Sequence, residues 1–170
     1  MIAALTALIV LGVLGAFDTI VYHEAVLHLP SKPSARGELR LHAARDFVYA
    51  ALFAGLAWLR FEGGFAFVVV ALLATEIGIT LADFITEDRT RKLPPGERSM
   101  HAVMGIAYGV FLTLFAPSLF AWSKLSAGFE ATSYGAISFV MTALSIGVFG
   151  SGVRDLFTST LAGRVLRREA

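Results

Sequence analysis

Residues 65–84 read FAFVVVALLATEIGITLADF, with Glu76 in the middle and Asp83 near the end. About 20 mostly apolar residues is the length that carries a helix across a bilayer. An ionisable group at the centre of such a stretch is costly in lipid, so Glu76 must face protein or have a task. Working outward, residues 2–22, 41–59, 102–122 and 134–153 are similar stretches. None alternates with period two, so they read as helices rather than barrel strands. Hydrophobic residues make up 56% of the chain and charged residues 16%. A soluble domain has about 45–50% and about 25%. The net charge of +1 supplies no basic excess for nucleic acid, and the absence of cysteine excludes a disulfide scaffold. The expected fold is an all-α integral membrane protein: one domain, residues 1–170, with five transmembrane helices.

The connections carry turn chemistry. Residues 29–37 (LPSKPSARG) hold two prolines and a glycine, Glu62-Gly63-Gly64 is a tight turn, and Leu93-Pro94-Pro95-Gly96 stops one helix and starts another. Short loops join antiparallel neighbours, so the first four helices are expected as an up-down-up-down bundle. The fifth either closes the bundle or makes a homodimer contact. Twelve basic residues (Lys32, Arg36, Arg40, Arg45, Arg89, Arg91, Lys92, Arg98, Arg154, Arg164, Arg167 and Arg168) fall at one end of the bundle. Only Arg60 and Lys124 fall at the other. The positive-inside rule then gives a multi-pass cell-membrane protein with its N-terminus outside and residues 154–170 as a cytoplasmic tail beside anionic lipid. The first span has no basic flank of the kind a signal peptide carries. Trp58 and Trp122 are expected in an aromatic belt at the outer end, and Gly105 and Gly109 as a close-packing pair.

The polar residues gather at the basic end. His23, His28, His42 and His101 are all the histidines in the chain, and all lie there. Residues three, four or seven apart share a helix face. On that spacing Glu24 and His28 align on the first helix. Glu38, His42, Arg45, Asp46 and Tyr49 align on the second, Glu76, Thr80, Asp83 and Glu87 on the third, and Glu97, His101 and Tyr108 on the fourth. Glu24–His28, Glu38–His42 and Glu97–His101 each place a carboxylate one turn before an imidazole. Such a pair can reach one metal ion, or one member can ligate while the other orients it.

Folding the helices about their loops predicts a layer of Glu24, His42, Glu87 and His101. Asp46 and Asp83 lie below it, and His28, Glu38 and Glu97 above. Two ions about 3.5–4 Å apart fit between such layers. Imidazole and carboxylate without thiolate suit iron, zinc or manganese, with iron favoured. Asp18 is read as a packing or relay residue. His23, about 100° around an α-helix from Glu24, is left outside the ligand set.

These residues point to a membrane metalloenzyme whose dinuclear site oxidises a lipid-like hydrophobic substrate or, with zinc, hydrolyses one. Glu76 and Tyr49 are expected as proton-relay residues. Arg45 is expected either to clamp an acidic head group or to snorkel to the interface. The layout is similar to helical di-metal carboxylate bundles, which use Glu-x-x-His pairs, although the pairs here are four apart. The alternatives are a proton- or metal-coupled transporter, for which a midplane acid such as Glu76 speaks, and a b-type haem protein held by His42 and His101.

Overall fold

The computed structural model describes residues 1–166. Helix α1 (Ile2–Asp18) continues without a break into a π-helical segment, Thr19–Val26. His28 then adopts a left-handed conformation (φ 51°) and two short 3₁₀ turns lead to α2 (Arg36–Trp58). Strand β1 (Leu59–Glu62), α3 (Ala66–Thr90), α4 (Pro95–Ser123), β2 (Gly128–Ala131) and α5 (Ala136–Leu166) follow. The two strands pair antiparallel, Leu59 opposite Ala131 and Glu62 opposite Gly128, and tie two helix connections together at one end of the bundle. Gly63 makes the turn after β1 with φ +57°. A Cβ there would lie 2.6 Å from the Ala127 Cα, so glycine is required twice over.

Among the described residues, four helical stretches are long and apolar enough to cross a membrane: Ile2–Val26, Gly63–Thr90, Pro95–Ser123 and Ala136–Thr160. Helix α2 is not among them, because His42, Arg45 and Asp46 interrupt its apolar run. Large apolar side chains cover the outer surface: Phe67 is 69% exposed, Ile106 70% and Phe139 66%. Polar groups are instead buried within. This inversion of the usual soluble arrangement is that of a membrane-embedded helical protein. The fifth helix runs from Ala136 to Leu166, so residues 154–166 extend a helix rather than begin a tail. The side chain of Arg164, together with Arg167 and Arg168, lies outside the described residues.

Helix pairing departs from simple sequence order. Helix α2 packs chiefly on α5, and α1 chiefly on α4. Along the α2–α5 seam, Ser138 Oγ donates to the Ala57 carbonyl (2.7 Å), Ser145 Oγ to the Ala50 carbonyl (2.9 Å) and Trp58 Nε1 to Thr142 Oγ1 (2.8 Å). The fifth helix therefore closes the bundle. At the end that carries the two strands, Leu5, Leu8, Leu52, Phe53, Leu56, Phe111, Phe115 and Met141 form the core. Trp122 belongs to that core, 6% exposed and edge-on to Phe115 at 5.6 Å, and not to an interfacial belt. Nothing lies within 4 Å of a Cβ built on Gly105 or Gly109, so these glycines open space instead of seating a neighbouring helix.

Gly152 is where helices do approach closely. A Cβ there would meet Asp46 Cβ at 3.0 Å, Phe47 at 3.2 Å and the Ala43 carbonyl at 3.3 Å. Gly152→Val should separate α2 from α5 and cost about 1–3 kcal/mol by overpacking. Gly109→Ala, which meets nothing, should not destabilise. Thermal unfolding in detergent distinguishes the two, and equal midpoints would contradict the close α2–α5 seam.

Candidate metal centre

The polar residues converge in the half of the bundle away from the two strands. Asp18 and His23 come from the first helix, Glu38 and His42 from α2, Asp83 and Glu87 from α3, and Glu97 and His101 from α4. All eight are buried. Two overlapping groups place one potential ligand atom per residue within 4.8 Å of one another: His23, Glu87, Glu97 and His101, and His23, Glu38, His42 and Glu87. His23 and Glu87 belong to both. The His23 and His42 rings stack face to face at 4.5 Å, and Phe84 stacks on His101 at 5.3 Å, which fixes all three imidazole planes.

The local conformation of the first helix decides which of its residues takes part. In an α-helix, residues five apart point in different directions. In the π-helical segment, i→i+5 bonding brings them nearly into line. Asp18 and His23 thus face the same way, and His23 Nε2 lies 3.3 Å from Asp18 Oδ2 and 3.4 Å from Glu97 Oε1. The expectation for this helix is corrected accordingly: His23, placed outside by α-helical spacing, is at the centre. His28 is exposed beyond the end of the helix. Glu24 is 39% exposed and pairs with Arg154 of α5. The run Thr19-Ile20-Val21 in this segment is β-branched, but so is Val68-Val69-Val70 in the regular helix α3, so the sequence does not mark the change of pitch.

The other expected residues divide as follows. Glu38, His42, Glu87, Glu97 and His101 come together. Asp83 stands beside them, its Oδ2 3.1 Å from His42 Nε2 and 3.1 Å from Arg45 Nη1. Arg45 is therefore held inside by an ion pair and does not snorkel. Asp46 turns towards α5, beside Ser151, and joins neither group. Glu76 lies seven residues before Asp83, about 10 Å along the helix at 1.5 Å per residue. It accepts hydrogen bonds from Tyr49 (2.9 Å) and Thr80 (2.9 Å) on Oε1. Tyr108 lies beside the same carboxyl group and donates to the Leu73 carbonyl at 3.2 Å.

Arg91, just past the end of α3, is the cation among the carboxylates. Its Nη2 lies 2.7 Å from Glu38 Oε1, 2.7 Å from Glu97 Oε1 and 3.1 Å from Glu87 Oε1. Burial opposes its charge, but the hydrogen bonds to Glu97 and Glu38 outweigh burial and raise its pKa above the ordinary arginine value. The sequence singled Arg91 out only as one basic residue of the positive-inside count.

Neutralisation is incomplete. Asp18 Oδ1, His23 Nε2, His42 Nε2, Asp83 Oδ1 and Glu87 Oε2 are buried without a hydrogen-bond partner. Carboxylate oxygens lie 3.1–3.4 Å from the two histidine nitrogens but are not aligned as hydrogen bonds. Buried polar atoms left this way are expensive. Three imidazoles and three glutamates facing one another form a donor set that accommodates divalent first-row metals. Asp18 and Asp83 each lie beside an imidazole, where a carboxylate can influence the orientation of the ring.

A cavity of about 650 Å³ runs from this centre to Glu76. Asp18, Arg45 and His101 line one end and Tyr49, Glu76, Thr80 and Tyr108 the other, with Phe53, Leu81, Met104 and Leu144 along its walls. Compared with known protein families, with curated proteins and with solved structures, the chain gives no match.

Removing the Arg91 cation leaves three buried carboxylates uncompensated. Arg91→Met should therefore cost about 3–5 kcal/mol, measured as a lowered unfolding midpoint in metal-free buffer. Arg98→Met, at an exposed position, should change stability by under about 0.5 kcal/mol. An unchanged midpoint for Arg91→Met would show that the glutamates do not depend on the guanidinium.

Proposed function

We propose that the chain is a multi-pass membrane metalloenzyme with a dinuclear His/carboxylate centre, preferring iron over zinc or manganese, that oxidises a lipid-like hydrophobic substrate. The observation that carries this reading is the pair of four-residue groups sharing His23 and Glu87. His101 and Glu97 would hold one ion and His42 and Glu38 the other. Glu87, with two carboxylate oxygens, is the shared residue able to serve both, while His23 would complete one of them. Bound iron would supply oxygen activation, and zinc in its place would turn the chemistry to hydrolysis.

The remaining residues have defined tasks. Asp83, fixed by Arg45, stands 3.1 Å from His42 Nε2 and would steady that ring when it ligates. Asp18 lies between His23 and His101, 3.3 Å and 3.4 Å from their Nε2 atoms, and steadies both. Tyr49 and Glu76 share a hydrogen bond at the far end of the cavity and can pass a proton between them. The apolar walls exclude water and admit a hydrophobic substrate. In the cell membrane the basic end would face the cytoplasm, with the N-terminus outside.

The test is metal analysis of protein purified in mild detergent, without chelator or a histidine tag. About two iron ions per chain are expected. His42→Ala and His101→Ala should lose metal while still inserting as folded bundles, and His23→Ala should do so equally. His28→Ala should keep full occupancy. No stoichiometric metal in the folded wild-type protein would overturn the proposal and shift attention to proton-coupled transport through Glu76.

A further inference from the structure

We infer that the cavity binds a neutral, hydroxyl-bearing lipid, a long-chain alcohol or phenol, which enters sideways from the bilayer and seats its hydroxyl on Glu76. This deepens the proposed function by naming the substrate class and rests on that reading for its catalytic meaning. Three observations carry it.

The first is how the space is made. Gly15 of α1, Gly105 of α4 and Gly147 and Gly150 of α5 all line the cavity, and nothing lies within 4 Å of a Cβ built on any of them. In membrane bundles small residues ordinarily let helices touch. Here they leave room, and about 650 Å³ is the size of a small-molecule pocket.

The second is where it opens. Ile20, Ile77 and Leu81 line the cavity and are also 61%, 41% and 57% exposed on the apolar outer surface. The mouth therefore lies on the lipid-facing side, the route of a molecule dissolved in the membrane.

The third is the polarity of the far end. Glu76 is buried in the middle of α3, with Tyr49, Thr80 and Tyr108 around it. A purely apolar ligand would leave this group facing hydrocarbon. A phosphate or carboxylate head would bring a charge about two helical turns inward from the basic end, to a depth where charge is costly. A neutral hydroxyl can donate to the carboxyl group, whose Oε1 already accepts from Tyr49 and Thr80. Its chain then runs along Phe53, Leu81 and Met104 towards His101.

The experiment uses metal-free protein in nanodiscs, so that it reads binding whatever the metal analysis returns. The probe is a hexadecanol with a diazirine in mid-chain, compared with its methyl ether, and the labelled residues are identified by mass spectrometry. Labels are expected on the cavity residues Phe53, Met104 and Leu144, suppressed by excess unlabelled hexadecanol and about tenfold weaker with the ether, which cannot donate the hydrogen bond. Glu76→Met should lose the preference for alcohol over ether. Gly105→Leu, which grows into space with no atom nearby, should lose cavity labelling altogether while the protein still elutes as a folded species. Equal labelling by alcohol and ether in the wild-type protein would overturn recognition at Glu76. Labelling confined to outer residues such as Phe67 and Ile106 would overturn the cavity site. Either failure leaves the metal result standing as a separate fact.

Discussion

The five buried carboxylates that meet around the histidines, in a bundle with an apolar exterior, must be balanced from within. Asp18, Glu38, Asp83, Glu87 and Glu97 cannot borrow water or counterions, because the outward faces of the helices are Phe, Ile, Leu and Val. Arg45 and Arg91 are the fixed cations that answer them, and the three imidazoles are placed to share the rest. An isolated charge in a low-dielectric interior costs far more than a single apolar contact returns. The convergence of the basic half of the bundle is thus governed by charge, while the half that carries the two strands is governed by the packing of Leu5, Leu8, Phe53, Phe111 and Phe115.

The two halves set the positions of the functional groups differently. Towards the end that carries the two strands, serine and tryptophan side chains bond across α2 and α5 and fix the register of that pair. That register carries Asp46 towards Ser151 and Gly152, away from the histidines. At the polar end the first helix widens into a π-helix. The change in pitch turns His23 and Asp18 inward and leaves Glu24 to Arg154 and His28 to the surface. A local change in helical hydrogen bonding thereby selects the residues that meet the other three helices, a role often found for π-helical segments.

Between the halves, Gly15 of α1, Gly105 of α4 and Gly147 and Gly150 of α5 face open space, whereas Gly12 of α1 is packed against Phe53. The same residue type does the opposite at Gly152, where a single Cβ would push α2 and α5 apart. Glycine in a membrane helix therefore carries no fixed meaning. Its neighbours decide whether it closes a seam or lines a cavity.

The membrane-embedded, all-helical class was legible in residues 65–84 and their counterparts, because the bilayer imposes one length and one backbone solution on any span. The gathering of histidines and acids at one end was legible too, as were the stripes on α2, α3 and α4, where ordinary α-helical periodicity holds from Glu38 to His42, from Asp83 to Glu87 and from Glu97 to His101. Spacing failed on the first helix, where the pitch changes and the sequence gives little sign of it. It failed again for Asp46, whose stripe is correct but whose helix turns that edge towards α5. The role of Arg91 was beyond reach for a different reason: a guanidinium at the end of α3 meets Glu38 and Glu97 only through contacts between helices. The sequence by itself determined which residues must avoid lipid, since that follows from each side chain's transfer energy. Only the tertiary structure decided which of them meet, since that depends on helix pitch, rotation and register, which packing against the neighbouring helices sets.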